Sequence, residues 1–161
     1  MIRKFFVAFL FVMLTSHYFQ PRAQSAQPLN DPAKLVRMLE ESALTYTKVQ
    51  EGIWAVPYNG KSSPDFNVVI SGQKDVVVVF AVVAEKKNLK VTPEMMRIML
   101  RLNNDIDRVK VLIDDEGDAV IRIDMSLRTL DSQELKYNIA QVAYATTEAH
   151  KAMKQFITIA K

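Results

Sequence analysis

The nine residues Val76–Ala84, VVVVFAVVA, constrain the fold more than any other part of the chain. Six are valine, whose branching at Cβ restricts χ1 and favours a pleated strand over a helix. The run is too short to cross a bilayer as a helix, which takes about 20 apolar residues. It is also apolar at every position, so no alternate row is suited to water. That pattern predicts an inner strand covered on both faces. Lys74, Asp75, Glu85, Lys86 and Lys87 bracket it and act as charged gatekeepers against aggregation. Lys86, Lys87 and Lys90 fit a solvated loop better than a site for an anionic partner.

A central strand needs neighbours. Phe66 to Ser71 precedes it, with Gly72 as the expected turn former, which makes a hairpin. Ile53 to Tyr58 (IWAVPY) reads as another strand, in which Pro57 lacks a ladder donor and favours an edge or a strand end. Tyr46 to Gln50 is open as an extra strand, and Asn59 to Pro64 is a loop. Val109 to Ile113 and Ala119 to Asp124 form a second hairpin around the turn Asp114-Asp115-Glu116-Gly117-Asp118.

Three helix starts stand out. Asp31-Pro32 opens a helix over about 32 to 44, Thr92-Pro93-Glu94 opens one to about Asn103, and Asp131 with Glu134 opens a long one to about Ile159. Along the last, Leu135, Ile139, Val142, Thr146, Ala149, Met153, Phe156 and Ala160 recur at alternating steps of four and three, so one stripe is buried. Its small members permit close approach of another backbone, either the domain's own sheet or a partner helix in a dimer. The order is helix, three strands, helix, two strands, helix. This describes an α+β domain with a mostly antiparallel five-stranded sheet in the order α-βββ-α-ββ-α.

Residues 1–25 contain Arg3 and Lys4, then the apolar run Phe5 to Leu14, then Ala23-Gln24-Ser25. That is the layout of a secretory signal peptide, with a cut expected near Ala26. Residues 26–30 read as a polar linker and 31–161 as the domain. The chain carries 21 basic and 18 acidic residues, and Arg3, Lys4 and Arg22 account for the whole surplus. The remainder is balanced, which excludes a strongly basic nucleic-acid surface, and no later segment reads as a membrane span. An exported chain commonly relies on disulfides, but this one has no cysteine, so packing must stabilise it.

Catalytic groups are few. His150 is the single histidine after residue 25 and has no second ligand at metal spacing, so it reads as a surface or flank histidine. Placing Gly117 sixth in a calcium loop puts Leu112 first and Ile123 twelfth, where carboxylates are required, so that motif fails. Asp105, Asp107 and Asp124 are the only carboxylates suggesting acid–base work, the basis of a carboxylate-dependent hydrolase alternative. No Gly-rich phosphate loop occurs. The reading names no catalytic residue, cofactor or metal ligand. Trp54 and Tyr58 read as sheet packing. Methionine is adaptable and frequent at binding surfaces, so Met95, Met96, Met99 and Leu102 form the candidate binding surface; a helix wedged in the core is the ordinary alternative.

Leu102-Asn103-Asn104, the hairpin VKVLIDDEGDAVIRIDMSL at 109 to 127 and the capped long helix resemble the YbjN family of bacterial sensory-transduction regulators, as do GIWAVPYNGK and VVVVFAVVAEK upstream. The resemblance covers about residues 31 to 160 and implies a type III secretion chaperone-like fold. It also implies a non-enzymatic, often dimeric module that binds proteins, with no catalytic residues to carry over. Combined with the signal peptide, this describes an exported module of the bacterial envelope, periplasmic or extracellular, that binds a protein partner or itself. A second expectation is a small-ligand carrier with a pocket between the sheet and the Met-rich helix.

Overall fold

The structure, a computed structural model, describes residues 29–60 and 63–158. The signal peptide at 1–25 and its cut near Ala26 lie outside these residues. The elements run α1 (Pro32–Glu41), β1 (Thr47–Gln50), β2 (Ile53–Tyr58), β3 (Phe66–Gln73), β4 (Val76–Ala84), α2 (Pro93–Asp105), β5 (Lys110–Ile113), β6 (Ala119–Ser126) and α3 (Ser132–Met153). The strands form one antiparallel sheet in the order β1-β2-β3-β4-β6-β5.

The valine-rich run lies inside this sheet, between β3 and β6. Alternation divides it into two rows. Val77, Val79 and Ala81 are fully buried beside Ile70, Ile123 and Ile121, the row of the core. The opposite row, Val78, Phe80 and Val82, faces away, and Phe80 and Val82 are only half-buried. Cover on both faces was expected, but α3 lies across one face alone. Neighbouring side chains on the outer face shield one another instead: Val69 stands opposite Phe80, and Val82 opposite Val120.

Each helix starts where a side chain answers free backbone donors. The N–H groups of Lys34, Met95 and Glu134 donate to Asp31 Oδ1 (2.9 Å), Thr92 Oγ1 (3.2 Å) and Asp131 Oδ1 (2.8 Å). The α3 stripe from Leu135 to Phe156 is buried throughout, and Thr146 satisfies its hydroxyl on Val142 O (2.7 Å). Ala145 and Ala149 are fully buried and α3 packs on β3, β4 and β6, so the chain's own strands cover this helix.

Several expectations change. The sheet has six strands instead of five, because Thr47–Gln50 pairs with β2 although all four residues are exposed. Gly72 belongs to β3; the turn is made by Lys74 (φ +49°) and Asp75. A Cβ on Gly72 would lie 2.2 Å from Leu29 Cδ1, so this glycine makes room for the chain entering the domain. Of the expected linker, Asn30 is held by its N–H on Lys74 O (3.0 Å) and its amide on Asp75 Oδ1 (2.8 Å). Pro57 is one residue from the end of β2 and past Ala55, where β1 stops, so it has no partner strand on that side, in keeping with the expected edge or strand end. The long helix stops at Met153 and gives way to a 3-10 turn, after which Ile157 bridges Leu89.

Candidate binding surface

Helix α2 packs on β5 and α3, and a rotation of about 100° per residue divides its apolar side chains. Met95 and Met99, one turn apart, are buried in the core. Leu102 is half-buried against it. Met96 and Leu100, also one turn apart, project outward with 43% and 69% of their surface exposed. The four expected surface residues therefore do not share one surface: Met95 and Met99 are core, and Met96 gains Leu100 as its neighbour. On the core side of this helix, where a ligand pocket was expected, Met95 and Met99 are 0% and 2% exposed.

On α3, Tyr137 and Tyr144 stand two turns apart and are more than half exposed. The Arg108 guanidinium lies 5.0 Å above the Tyr137 ring and pairs with Glu134. Arg108 lies in the loop between α2 and β5, at φ +68°. Glu134 also accepts from the buried Asn138 amide (3.1 Å). Arginine over an aromatic ring at a partly wet position is a common contact in binding surfaces.

Asn103 accounts for part of the Asn pair. Its Nδ2 donates to Val111 O (3.0 Å) and Met99 O (3.0 Å), while its Oδ1 accepts from the Val111 N–H (2.8 Å). The side-chain amide thus occupies the place of a seventh strand on the outer edge of β5. Sequence reasoning picked out the pair without this role, because Asn103 lies within α2 and meets β5 only in the fold.

His150 is buried rather than on the surface, with 4% of its area exposed. Neither ring nitrogen has a hydrogen-bond partner among the described residues. Burial, with a smaller contribution from the Lys154 charge, lowers its pKa below the usual histidine value. At Asp124 partial burial alone would raise the carboxyl, but hydrogen bonds from Lys110 and Arg122, each 2.6 Å, outweigh it and hold the group below the carboxylate range. A carboxylate fixed between two cations is a poor general base. Asp105 accepts from the Asn104 amide (2.9 Å). In the acidic turn, Asp118 is buried and accepts from the Lys86 N–H (2.7 Å), which ties the turn to the end of β4. Among the described residues no group of three His, Asp or Glu side chains is arranged to hold a metal, and no helix is long and apolar enough to cross a membrane.

This geometry, one antiparallel sheet with helices on one face, recurs in solved structures. A chain of the ExsC–ExsE complex matches with a TM-score of 0.57 and 11% identity, over 76% of this chain and 95% of its own. A chain of the HopA1–SchA chaperone–effector complex matches at 0.56 and 11%, over 75% and 96%. YbjN from E. coli matches at 0.55 and 14%, over 80% and 95%. The fold is therefore of the type III secretion chaperone-like α+β class. Residues 31–155 match the YbjN family model, described as "Putative bacterial sensory transduction regulator", and the chain belongs to that family. No curated protein matches the chain.

Proposed function

We propose that this protein is an exported, non-enzymatic protein-binding module with a chaperone-like role in the bacterial envelope. The observation that carries the reading is that Met96 and Leu100 on α2 and Tyr137 and Tyr144 on α3 make up four of the seven large hydrophobic residues exposed among the described residues. Aromatic and methionine side chains are enriched at partner surfaces. Support comes from the same fold in one chaperone–effector complex and in the ExsC–ExsE complex. The commitment of Asp124 to two cations weighs against the hydrolase alternative. The charged, then apolar, then small-residue order at 1–25 supports export.

Sedimentation and envelope crosslinking test it. The protein should either self-associate with concentration or crosslink reproducibly to one protein, and Leu100→Asp should weaken that association at least ten-fold with an unchanged melting temperature. A strict monomer that crosslinks to nothing would sink the reading. N-terminal sequencing of the recovered protein tests export: a start near Ala26 is expected, and a start at Met1 overturns it.

A further inference from the structure

The ladder between β3 and β4 stops at Val69 and Phe80. Beyond that point β3 continues to Phe66 paired only with β2, and β4 continues to Ala84 paired only with β6. The two strands splay and leave an open cleft of about 430 Å³. Val69, Phe80 and Val82 form its outer apolar wall, and Ile157, just past α3, helps close it. His150 stands in the wall behind them.

The features of the cleft describe a ligand. Its volume lies in the range of small-molecule sites, which pair apolar walls with a few polar groups. Its single deeply buried polar side chain is His150, whose nitrogens lack partners among the described residues. Buried polar groups in folded proteins are nearly always hydrogen-bonded, so an unanswered imidazole on a cavity wall points to a partner from outside the chain. A neutral imidazole offers one donor and one acceptor. The charged lining residues are Asp65 and Glu85, both acidic, with no lysine or arginine among the lining. Asp65 accepts from the Gly60 N–H and Glu85 pairs with Lys87 at the rim. Among the described residues the lining therefore offers an anionic ligand no cation and favours a neutral or basic polar group.

We propose that this cleft binds a small apolar molecule carrying one hydroxyl or amine, with the polar group hydrogen-bonded to His150 and the apolar part against Val69, Phe80 and Val82. His150 lines the cleft with both ring nitrogens buried, and a turn of the ring about χ2, a torsion with a broad minimum, brings one of them to the ligand. The site uses none of the exposed residues of α2 and α3, so it stands independently of the protein-binding reading.

The test is a titration of the protein with p-cresol, toluene and p-toluate, following the His150 Cε1–H signal by NMR. That signal is assigned by its loss in His150→Leu. Expected are a saturable shift with p-cresol at millimolar concentration and at least ten-fold weaker binding of both toluene and p-toluate. In His150→Leu the preference for p-cresol over toluene should fall to within two-fold. Val82→Trp, which fills the cleft, should abolish the shift while the protein still melts cooperatively. An unmoved His150 signal overturns the proposal, as does equal affinity for cresol and toluene, or tightest binding of p-toluate. The three wild-type titrations decide the matter even if a variant fails to fold.

Discussion

Replacing Asn103 by alanine tests whether a side chain completes the sheet. The substitution removes two hydrogen bonds to the Val111 backbone and one to Met99 O. The Met99 carbonyl already accepts within the helix, so the loss falls on Val111, a buried residue on an outer strand. At about 1 kcal/mol net per hydrogen bond, Asn103→Ala should cost about 2 kcal/mol, and a melting temperature lower by roughly 6–10 °C follows for a domain of this size. Asn103→Asp keeps the acceptor for the Val111 N–H but sets a second carboxylate oxygen against two carbonyls, so it should cost at least as much. Urea denaturation measures both, and amide exchange locates the effect: the Val111 N–H should exchange faster by more than the global change, while β4 amides follow the global change alone. A cost below about 0.5 kcal/mol in both variants, with Val111 protection intact, would refute the reasoning.

The division of α2 predicts that Met95→Ala costs about 2–4 kcal/mol through a core cavity, whereas Met96→Ala costs less than about 0.5 kcal/mol; equal costs in urea denaturation would show the helix turned otherwise. His150 gives a pH dependence. Its pKa is lowered in the fold, so below the usual value near 6.5 the unfolded chain binds a proton that the folded chain does not, and stability falls with pH there. The slope should reach at most about 1.4 kcal/mol per pH unit between neutrality and pH 5.5, and His150→Leu should lack that component. Matching profiles for the two proteins would remove the buried neutral imidazole. The carboxyl of Asp124 is lowered instead, so the stability it contributes is lost only in stronger acid.

What was legible in the sequence was whatever local chemistry dictates. Asp31, Thr92 and Asp131 cap their helices because a short polar side chain before a helical run has few better partners than the free N–H groups beside it. The stripe on α3 was legible because burial of a long helix imposes a period. What was missed depends on distant neighbours. Thr47–Gln50 has no apolar residue but Val49, itself exposed, and is a strand only because β2 offers it a ladder. Gly72 was read as a turn because glycine usually serves turns, whereas here it admits Leu29 from more than forty residues away. The methionines mark an apolar helix, but only the positions of β5 and α3 decide which of them face inward. His150 was read from its polarity; its burial follows from the packing of α3 on the sheet, which no local pattern announces.

The two edges of the sheet differ in a way that governs assembly. On the β5 edge the Asn103 amide answers both backbone groups of Val111, while the β1 edge has no strand beyond it among the described residues. A continuous ribbon of identical subunits requires every copy to offer two free edges, one to give and one to receive. A copy whose two edges differ in this way offers its open groups at β1 first, and two copies meeting there about a two-fold axis would use both of those edges. Removing the asparagine would add the Val111 groups to what the second edge offers.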